Sequence, residues 1–316
     1  MSQIDVLNED YSMTNSDITQ VRPEFENLAG DTRIRFCMAD TDPDGNPTNG
    51  ITRTQTTKFA WDFSEADDAK RTSQDGKDGW PHNEYLNIWV INLDNGNGVL
   101  GYAYPPGVPG WMDGIVIHYA FFGRQGTIIP PFNRGRTTTH EVGHWLNLRH
   151  TWGDGGCGQD DGVDDTPLQG TEYYGCPGNL STCGSLDNHE NFMDYTNDGC
   201  MHMFTHGQGE RMLAALQGSR MLLLNSNGCE GAGVGINDNF IDVSSDIFVF
   251  PNPTSGDVWV DYNFAQYENG QVEIVNMFGQ VIGTVPSETI GSSMNFDLRD
   301  QPAGVYFVSF KSEGVA

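Results

Sequence analysis

Apolar residues occur in short runs along the first 230 positions, with polar or glycine-rich turns between them. The apolar residues of Ser2–Tyr11 repeat at helical spacing, which predicts that a helix begins almost at once. Residues 32–38 alternate as in a strand, and the runs at 85–93, 100–104 and 114–122 predict three further strands. This mixture of helices and strands indicates an α+β domain.

Two more helices are expected in the same domain. The polar residues 133–139 include three threonines that can cap a helix beginning near Thr138 and running through Leu146. Residues 151–200 show no regular pattern, so an irregular subdomain is expected there. Residues 207–224 then show the apolar face of an amphipathic helix.

Composition changes beyond position 230. Glycine and asparagine are frequent at 231–239, which predicts a flexible linker at 231–245 between one domain at 1–230 and a second at 246–316. The second domain contains six short apolar runs divided by turn residues, as in a small all-β sandwich. The predicted strands are 247–250, 258–262, 271–275, 280–285, 293–298 and 305–310.

Charge and cysteine content restrict the classes of function. The 316 residues include 43 acidic and 16 basic side chains, which give a formal charge of −27. That charge argues against nucleic acid as a partner, because phosphates would be repelled. No apolar run reaches the roughly 20 residues that span a bilayer. The six cysteines form no CxxC pair, and they favour disulfides outside the cytosol over a structural zinc site.

A metal site is predicted where three histidines follow one another. His140 and His144 lie four residues apart in the predicted helix, so both rings face one side and can share a metal ion. Glu141 lies beside them, close enough to reach a metal-bound water without being a ligand. His150 can join them if the chain turns sharply at Asn147, since Asn tolerates the left-handed conformation that such a turn needs.

The stretch HEVGHWLNLRHTWGD resembles the zinc motif of the pappalysin family of metzincin metalloproteases, in which glycine usually stands at the position of Asn147. The blocks NFMDY at 191–195 and CMHMFT at 200–205 resemble the family's Met-turn, so that Met193 would form an apolar floor beneath the zinc ligands. The resemblance covers about residues 2–230 and implies a metzincin-type catalytic domain. The disulfides that it implies are Cys157–Cys183 and Cys176–Cys200, with Cys37–Cys229 as the remaining pair.

The resemblance also implies roles for individual residues. Zinc held by the three histidines would activate a water, and Glu141 would act as general base when that water attacks a peptide carbonyl. Tyr195 resembles the tyrosine that swings in to stabilise the oxyanion. Asp198 would lie near a primed-side pocket that prefers basic residues. Protein or peptide substrates would lie extended along the exposed edge of the strand at 100–104.

An acidic loop follows the zinc motif. The family carries calcium near this point, and GVDDTP at 162–167 resembles the stretch involved. Calcium takes oxygen ligands and would relieve the repulsion among the carboxylates. A solvated acidic loop is the alternative interpretation. The candidate calcium ligands are Asp154, Asp161, Asp164, Asp165 and Thr166, and Asp160 completes the acidic group.

The C-terminal domain resembles the sorting domain of the type IX secretion system of Gram-negative bacteria. The resemblance rests on FPNPTSG at 250–256, on Phe278 and Gly279, and on PAGVY at 302–306. It implies a protein that this machinery exports and that is secreted or held at the cell surface, and we expect a monomer. We also expect the chain to be a fragment at both ends. A binding module with a structural zinc, or an inactive fragment, is the rival interpretation.

Overall fold

The computed structural model describes residues 2–94, 96, 98–229, 247–250, 254, 256–262, 270–276, 280–287 and 292–312. The chain forms two compact units, residues 1–236 and 237–316. Each unit has its own hydrophobic core. The linker predicted at 231–245 lies outside the described residues.

The sheet of the first unit is small and mixed. β2 (Ile88–Ile91) lies parallel to β5 (Ile115–His118), and β4 (Gly101–Ala103) pairs antiparallel with the other side of β5. The central strand β5 is buried along its whole length, and β4 is an edge strand. A separate parallel pair joins β1 (Trp61–Asp62) to β3 (Leu93–Asp94).

The apolar runs predicted as strands at 85–93, 100–104 and 114–122 all contribute to these pairs. The run at 85–93 gives two strands because it is interrupted at Asn92, whose main-chain carbonyl accepts a hydrogen bond from the Trp61 N–H at 2.8 Å. The prediction of an α+β fold for the first unit is confirmed.

Three α-helices accompany the sheet, α1 (Ser2–Tyr11), α2 (Arg136–Trp145) and α3 (His206–Gln217). The second helix contacts both α1 and the strands β4 and β5. Val142 of α2 lies in the same buried cluster as Tyr11 of α1. These contacts on two sides fix the position of α2 and of the side chains that it carries.

Residues 32–38 do not form the predicted strand. The Asn8 side chain accepts a hydrogen bond from the Phe36 N–H at 2.7 Å and donates one to the Phe36 carbonyl at 2.8 Å. A side chain of α1 thus takes the place of a partner strand. Ile34 and Phe36 still pack on the main core, which accounts for the alternating pattern in the sequence.

The start of α2 differs from the prediction as well. The helix begins at Arg136, and its N-cap residue is Gly135, whose φ of 81° is left-handed. The Asp198 carboxylate accepts a hydrogen bond from the Arg136 N–H at 3.4 Å. Thr138 and Thr139 lie inside the helix, where their hydroxyls donate to side chains of α1. The threonines therefore join two helices and do not cap either of them.

The third helix is shorter than expected. It ends at Gln217, and Gly218, a poor helix residue, separates it from a short 3-10 helix at Met221–Asn225. Its start is capped by Thr205 and Gln208, each of whose side chains bonds to the main-chain N–H of the other.

The second unit is a β sandwich, as predicted. Its two antiparallel three-stranded sheets have the orders β10-β7-β6 and β11-β8-β9. Val260 of one sheet and Ile274 of the other share a buried core. Of the segments that carried the sorting-domain resemblance, residues 251–253, 255 and 278–279 lie outside the described residues. The strands are β6 (Ile247–Phe250), β7 (Asp257–Tyr262), β8 (Gly270–Asn276), β9 (Val281–Ser287), β10 (Ser292–Asp297) and β11 (Tyr306–Ser312).

Disulfides link distant parts of the first unit. The pair Cys37–Cys229 joins residues that are 192 positions apart, so it connects the beginning of the unit to its end. The irregular region between α2 and α3 contains the other two pairs, which are the ones that the resemblance implied, Cys157–Cys183 and Cys176–Cys200. In the part of the chain that the structure describes, no helix is long and apolar enough to cross a membrane.

Candidate metal centre

Two of the predicted metal ligands project from α2, one from its middle and one from its last turn. His140 and His144 stand one turn apart, with their Nε2 atoms 3.0 Å from each other. Gly143 lets the sulfur of the fully buried Met193 approach the helix, because a Cβ at position 143 would lie 2.5 Å from that sulfur. Met193 therefore packs against the same turn of α2 that carries the histidines.

The chain reverses direction directly after α2. Asn147 has a φ of 74°, the left-handed conformation expected of it. Arg211 of α3 donates a hydrogen bond to the Asn147 carbonyl at 2.7 Å and so fastens the turn. As a result the Nε2 atom of His150 lies 3.0 Å from that of His144.

The second ring nitrogen of each histidine faces a hydrogen-bond acceptor. Main-chain carbonyls lie 2.7 and 3.0 Å from the Nδ1 atoms of His140 and His144, and the Asp154 carboxylate lies 2.6 Å from that of His150. An acceptor at Nδ1 requires the proton on that nitrogen, so each Nε2 presents a lone pair. Burial lowers the pKa of all three rings, which keeps them neutral.

Three lone pairs that converge in this way need a cation between them. Tetrahedral zinc with Zn–N bonds of ~2.0–2.1 Å separates its nitrogen ligands by about 3.3 Å, close to the 3.0 Å between neighbouring Nε2 atoms here. Within the described ranges, these histidines are the one group of three or more His, Cys, Asp or Glu side chains near enough to share a metal ion. The donor set therefore fits zinc.

The ring of His150 is held from two directions. Trp152 stacks on it face to face, with ring centroids 4.2 Å apart and an angle of 3° between the planes. Gly153 and Asp154 both adopt left-handed conformations, with φ of 59° and 60°, and this sharp turn returns the carboxylate to the histidine. A Cβ at position 153 would lie 2.9 Å from main-chain atoms of the loop, so the turn requires glycine.

Glu141 lies where the edge strand β4 meets α2. Its side chain is buried, which raises its pKa to about 8, and the Ala103 N–H donates a hydrogen bond that acts in the opposite direction. A Cβ at Gly101 would lie 3.3 Å from the Glu141 side chain. The carboxylate is thus adjacent to the histidines and to the open edge of the sheet.

The Tyr195 hydroxyl reaches the histidines from the Met-turn side. It donates a hydrogen bond to Nε2 of His150 at 3.0 Å, and the Tyr195 ring lies 5.5 Å from that of His140. Burial, followed by the charge of Glu141, raises the pKa of Tyr195 well above its ordinary value. The phenol is therefore protonated and can donate.

Asp198 lies inside the protein at the start of α2, with 1% of its surface exposed. Its carboxylate accepts hydrogen bonds from the N–H groups of Arg134 and Arg136, at 2.6 and 3.4 Å. These bonds satisfy the carboxylate within the fold. Its role in a specificity pocket stays a prediction.

The acidic loop does not gather its carboxylates at one point. Asp154 lies against the third histidine, as described above. Asp165 accepts hydrogen bonds from the Thr205 hydroxyl at 2.7 Å and from the Gly207 N–H at 2.8 Å, at the start of α3. Asp164 is exposed. The aspartates predicted as one ligand set therefore lie in three different surroundings.

Asp161 is the buried member of the loop, with 2% of its surface exposed. One carboxylate oxygen accepts hydrogen bonds from the Thr166 hydroxyl at 2.8 Å and from the Val163 N–H at 3.0 Å. The other oxygen is buried and accepts none from the described residues. Burial raises the pKa of Asp161 to about 7. This carboxylate has room for one further partner, either a proton or a cation.

Several features of the centre were missed by the sequence predictions. The main-chain carbonyls of Phe192 and Leu148 orient two histidines, and side-chain identity gives no signal for them. The contact of Ala103 with Glu141 depends on how β4 packs against α2. The partnership of Asp154 with His150 had a signal, since a carboxylate four residues after a metal-binding histidine is a natural partner for its second nitrogen.

Two family models match the chain. Residues 70–217 match the peptidase family described as pregnancy-associated plasma protein-A. Residues 248–315 match the secretion system C-terminal sorting domain. The first match includes β2 to β5 and all of α2 and α3, and the second includes the strands of the second unit.

Curated relatives include extracellular metalloproteases. Extracellular metalloprotease 1 of Coccidioides posadasii is 42% identical over 137 residues, which are 40% of this chain and 49% of that protein. An extracellular metalloprotease of Arthroderma benhamiae is 34% identical over 220 residues, which are 66% of this chain and 62% of that protein. The chain spans between about half and two thirds of the length of these relatives.

Solved structures of one further protein are similar to 70% of this chain. Mature mirolysin of Tannerella forsythia, in complex with a cleaved peptide, is 45% identical with a TM-score of 0.66, and the match covers 70% of this chain and 86% of that chain. A promirolysin variant of the same species is 44% identical with a TM-score of 0.66, and 76% of that chain is covered.

Proposed function

Because the chain belongs to the pappalysin family of metzincin metalloproteases and carries a type IX secretion sorting domain, we propose that it is a secreted zinc-dependent endopeptidase. The observation that carries this proposal is the convergence of three neutral Nε2 atoms beside a buried carboxylate. A structural zinc site is usually closed by a fourth protein ligand, whereas a catalytic site keeps a position open for water and substrate. Protein and peptide chains are the substrates that we expect.

In this proposal Glu141 carries the proton. Zinc held by the three histidines would supply a Lewis acid that acidifies water and polarises the peptide carbonyl. Glu141 takes a proton as the water oxygen forms its bond to the carbonyl carbon. It then gives that proton to the peptide nitrogen while the C–N bond breaks. The hydrogen bond from Ala103 holds the Glu141 carboxylate at the edge of β4, where a peptide would lie.

Tyr195 is proposed as a donor to the oxyanion that forms on the carbonyl oxygen. Its hydroxyl lies at the histidine cluster and is protonated, so a small rotation of the side chain can direct the O–H towards substrate. Such donors act when charge develops in the transition state. Met193 is proposed as the apolar floor that supports this arrangement from beneath α2.

The substrate is proposed to pair with β4. The strand is at the edge of the sheet, and its residue Ala103 lies beside Glu141. An extended peptide added to such an edge gains main-chain hydrogen bonds that do not depend on its sequence. The complex of mirolysin with a cleaved peptide agrees with a peptide-binding cleft in this family.

A preference for basic residues near the scissile bond is also proposed. Its support is negative charge around the histidines, where Asp154 has a side chain that is 60% exposed and Glu172 is near enough to act on His150 and Tyr195. Asp198, which first suggested the preference, is already bonded to main-chain N–H groups. Equal cleavage of matched peptides with Arg and with Leu would contradict the preference.

Calcium is proposed as a structural ion in the acidic loop. The support is the buried Asp161 oxygen that accepts no hydrogen bond from the described residues, next to the Thr166 hydroxyl. Calcium needs six to eight oxygen ligands, so main-chain carbonyls and water would have to complete the shell. Asp164 and Asp165 are the remaining carboxylates that could approach, after a change in their present contacts.

The test of the proposed function is cleavage of a denatured protein by the wild type and by Glu141→Ala, each with and without a zinc chelator. We expect one zinc per chain in the wild type and in Glu141→Ala. Cleavage by the wild type should be sensitive to the chelator, and the cleavage rate of Glu141→Ala should be lower by about 10²–10⁴-fold. Glu24→Ala removes an exposed carboxylate outside the centre and should leave the rate unchanged. A wild type that binds one zinc and cleaves nothing would favour the binding-module interpretation.

A further inference from the structure

The two faces of β4 carry very different side chains. Leu100 accepts a hydrogen bond from the His118 N–H of β5 at 2.9 Å. Because main-chain groups alternate in direction along a strand, those of Gly101 and Ala103 point to the open edge. The methyl group of Ala103 packs on the core cluster that includes Val142 of α2, and a Cβ at Gly101 would lie 3.3 Å from the Glu141 side chain of the same helix. Side chains alternate between the two faces of a strand, so those of Tyr102 and Tyr104 project from the opposite face.

An ion pair between the buried Lys70 and the partly buried Asp67 fixes the two tyrosine rings. The Tyr102 and Tyr104 hydroxyls donate to different oxygens of the Asp67 carboxylate, at 2.8 and 2.7 Å. Lys70, 1% exposed, lies 3.0 Å from Asp67, and its Nζ atom is within 5.0 and 4.8 Å of the two ring centroids. The Met112 carbonyl accepts a further hydrogen bond from Lys70 at 2.7 Å. With both hydroxyls bonded, neither ring is free to turn away.

A third ring extends this surface towards solvent. Phe63 packs edge to face on Tyr102, with ring centroids 5.6 Å apart, and is 41% exposed. Phe63 belongs to the same 3-10 helix, Phe63–Lys70, that supplies Asp67 and Lys70. We refer to Phe63, Tyr102 and Tyr104 as the aromatic face. Nothing in the hydrolytic chemistry proposed above uses it.

We propose that the aromatic face is a subsite that selects apolar or aromatic side chains at two substrate positions, two residues apart, close to the scissile bond. The inference rests on the proposed function, in which the substrate pairs with β4. Residues opposite each other in paired strands point to the same face, with Cβ atoms about 4.5–5.5 Å apart. Substrate residues opposite Tyr102 and Tyr104 would therefore lie on the rings, while the residue between them would face Glu141.

The chemistry of the surface favours uncharged side chains. The Asp67 charge is compensated by Lys70 and by the two phenol donors, so the surface presents ring carbon and no free charge. Aromatic pairs of this kind are more favourable than the area that they bury accounts for. The preference is thus distinct from the one for basic residues, which concerns the opposite side of the substrate strand.

The experiment uses the full chain and a peptide library of random sequence, with cleavage products identified by mass spectrometry. The wild type should enrich apolar and aromatic residues at two positions separated by one residue. Phe63→Ala should weaken the enrichment opposite Tyr102 by about five- to tenfold, within the range expected for loss of apolar contact in a subsite. Other positions should keep their preferences. Phe63→Tyr should restore the enrichment, and Phe59→Ala, which removes a ring that is 91% exposed elsewhere, should match the wild type.

The possible outcomes separate this inference from the proposed function. Chelator-sensitive cleavage without any preference at alternate positions overturns the aromatic subsite and leaves the endopeptidase in place. A preference for charged residues at both positions, or an equal loss in Phe59→Ala, overturns it as well. Absence of all chelator-sensitive cleavage in the wild type overturns both.

Discussion

The histidine segment 140–150 and the acidic loop 154–166 both concentrate candidate metal ligands, and they use them in opposite ways. In the histidine segment a regular helix and one left-handed turn bring three side chains to a common point. In the acidic loop Asp165 is bonded at the start of α3 and Asp161 to its own loop. Ligand spacing therefore predicts a site where the backbone is regular, and it predicts much less where the backbone is irregular.

The two regions also differ in what burial requires of them. A neutral imidazole can be buried if one nitrogen finds an acceptor, and each of the three histidines has one. A carboxylate brings a charge with it, which is costly to bury unless it is compensated. The loop leaves Asp164 exposed, and it raises the pKa of the buried Asp161 to about 7. The histidine segment is prepared to receive a cation, whereas Asp161 needs either a proton or a cation.

Removing one histidine tests the first half of the comparison and should have the largest effect. His144→Ala removes the ligand whose Nε2 lies 3.0 Å from both of the others. We expect zinc content to fall from one to none per chain and kcat/KM to fall by at least about 10³-fold, since the Lewis acid is lost. Metal analysis and peptide hydrolysis measure the two effects.

His82→Ala is the matched control for that prediction, because His82 has a half-exposed ring outside the cluster. It should retain both zinc and activity. Full zinc occupancy in His144→Ala would mean that the three histidines do not form the site.

The pH dependence of stability tests the second half of the comparison, in which the buried Asp161 needs either a proton or a cation. The measurement is made in EDTA, with Glu141→Ala as the parent protein. Because folding raises the pKa of Asp161, the unfolded chain loses the Asp161 proton at a lower pH than the folded chain does. The contribution of Asp161 to the free energy of unfolding is therefore complete below pH ~4. It declines by up to about 4 kcal/mol as the pH rises to about 7. Asp161→Asn should remove this contribution, which is measured as the difference between the two proteins in denaturant unfolding across this range.

Added calcium should offset part of that loss of stability if the loop binds it. At a hundred times its dissociation constant calcium would stabilise the parent by about 2.7 kcal/mol, while Asp161→Asn would gain little. Asp164→Asn, at an exposed position, should leave the pH dependence unchanged. A parent that calcium does not stabilise at pH 7.5 would leave the loop as a solvated acidic segment.

Much of the fold followed from local pattern. The helix Ser2–Tyr11 and all six strands of the second unit lie where spacing and turn residues predicted them. Asn147 has the left-handed conformation that the histidine spacing required. These features depend on the backbone of a few consecutive residues, so their signal is present in the sequence itself.

The features that were missed depend on distant partners. Residues 32–38 have the alternation of a strand, yet the Asn8 side chain takes their main-chain groups. The threonines before the zinc motif face α1, and a glycine begins the helix instead. Neither the partner of Phe36 nor the packing of α1 on α2 can be read from residues nearby in the sequence. Asp154 was grouped with the calcium ligands because of its neighbours, although its contact is with His150.

The position of Asp154 at the border of the two regions gives the finest test of the comparison. Its carboxylate lies 2.6 Å from Nδ1 of His150 and is 60% exposed. Partners of this kind change metal affinity by about 10–100-fold, and solvent screening of an exposed carboxylate places the effect near the lower limit. We therefore expect Asp154→Ala to weaken zinc binding about tenfold, as measured by competition with a chromophoric chelator.

Asp154→Asn separates the two parts of that effect. Its side-chain oxygen can still accept the hydrogen bond from His150, so the proton stays on Nδ1, but the negative charge is gone. Zinc affinity in Asp154→Asn should lie between those of the wild type and Asp154→Ala. If Asp154→Ala instead left zinc affinity unchanged and removed stabilisation by calcium, the residue would belong to the acidic loop. The boundary between the two regions would then lie directly after His150.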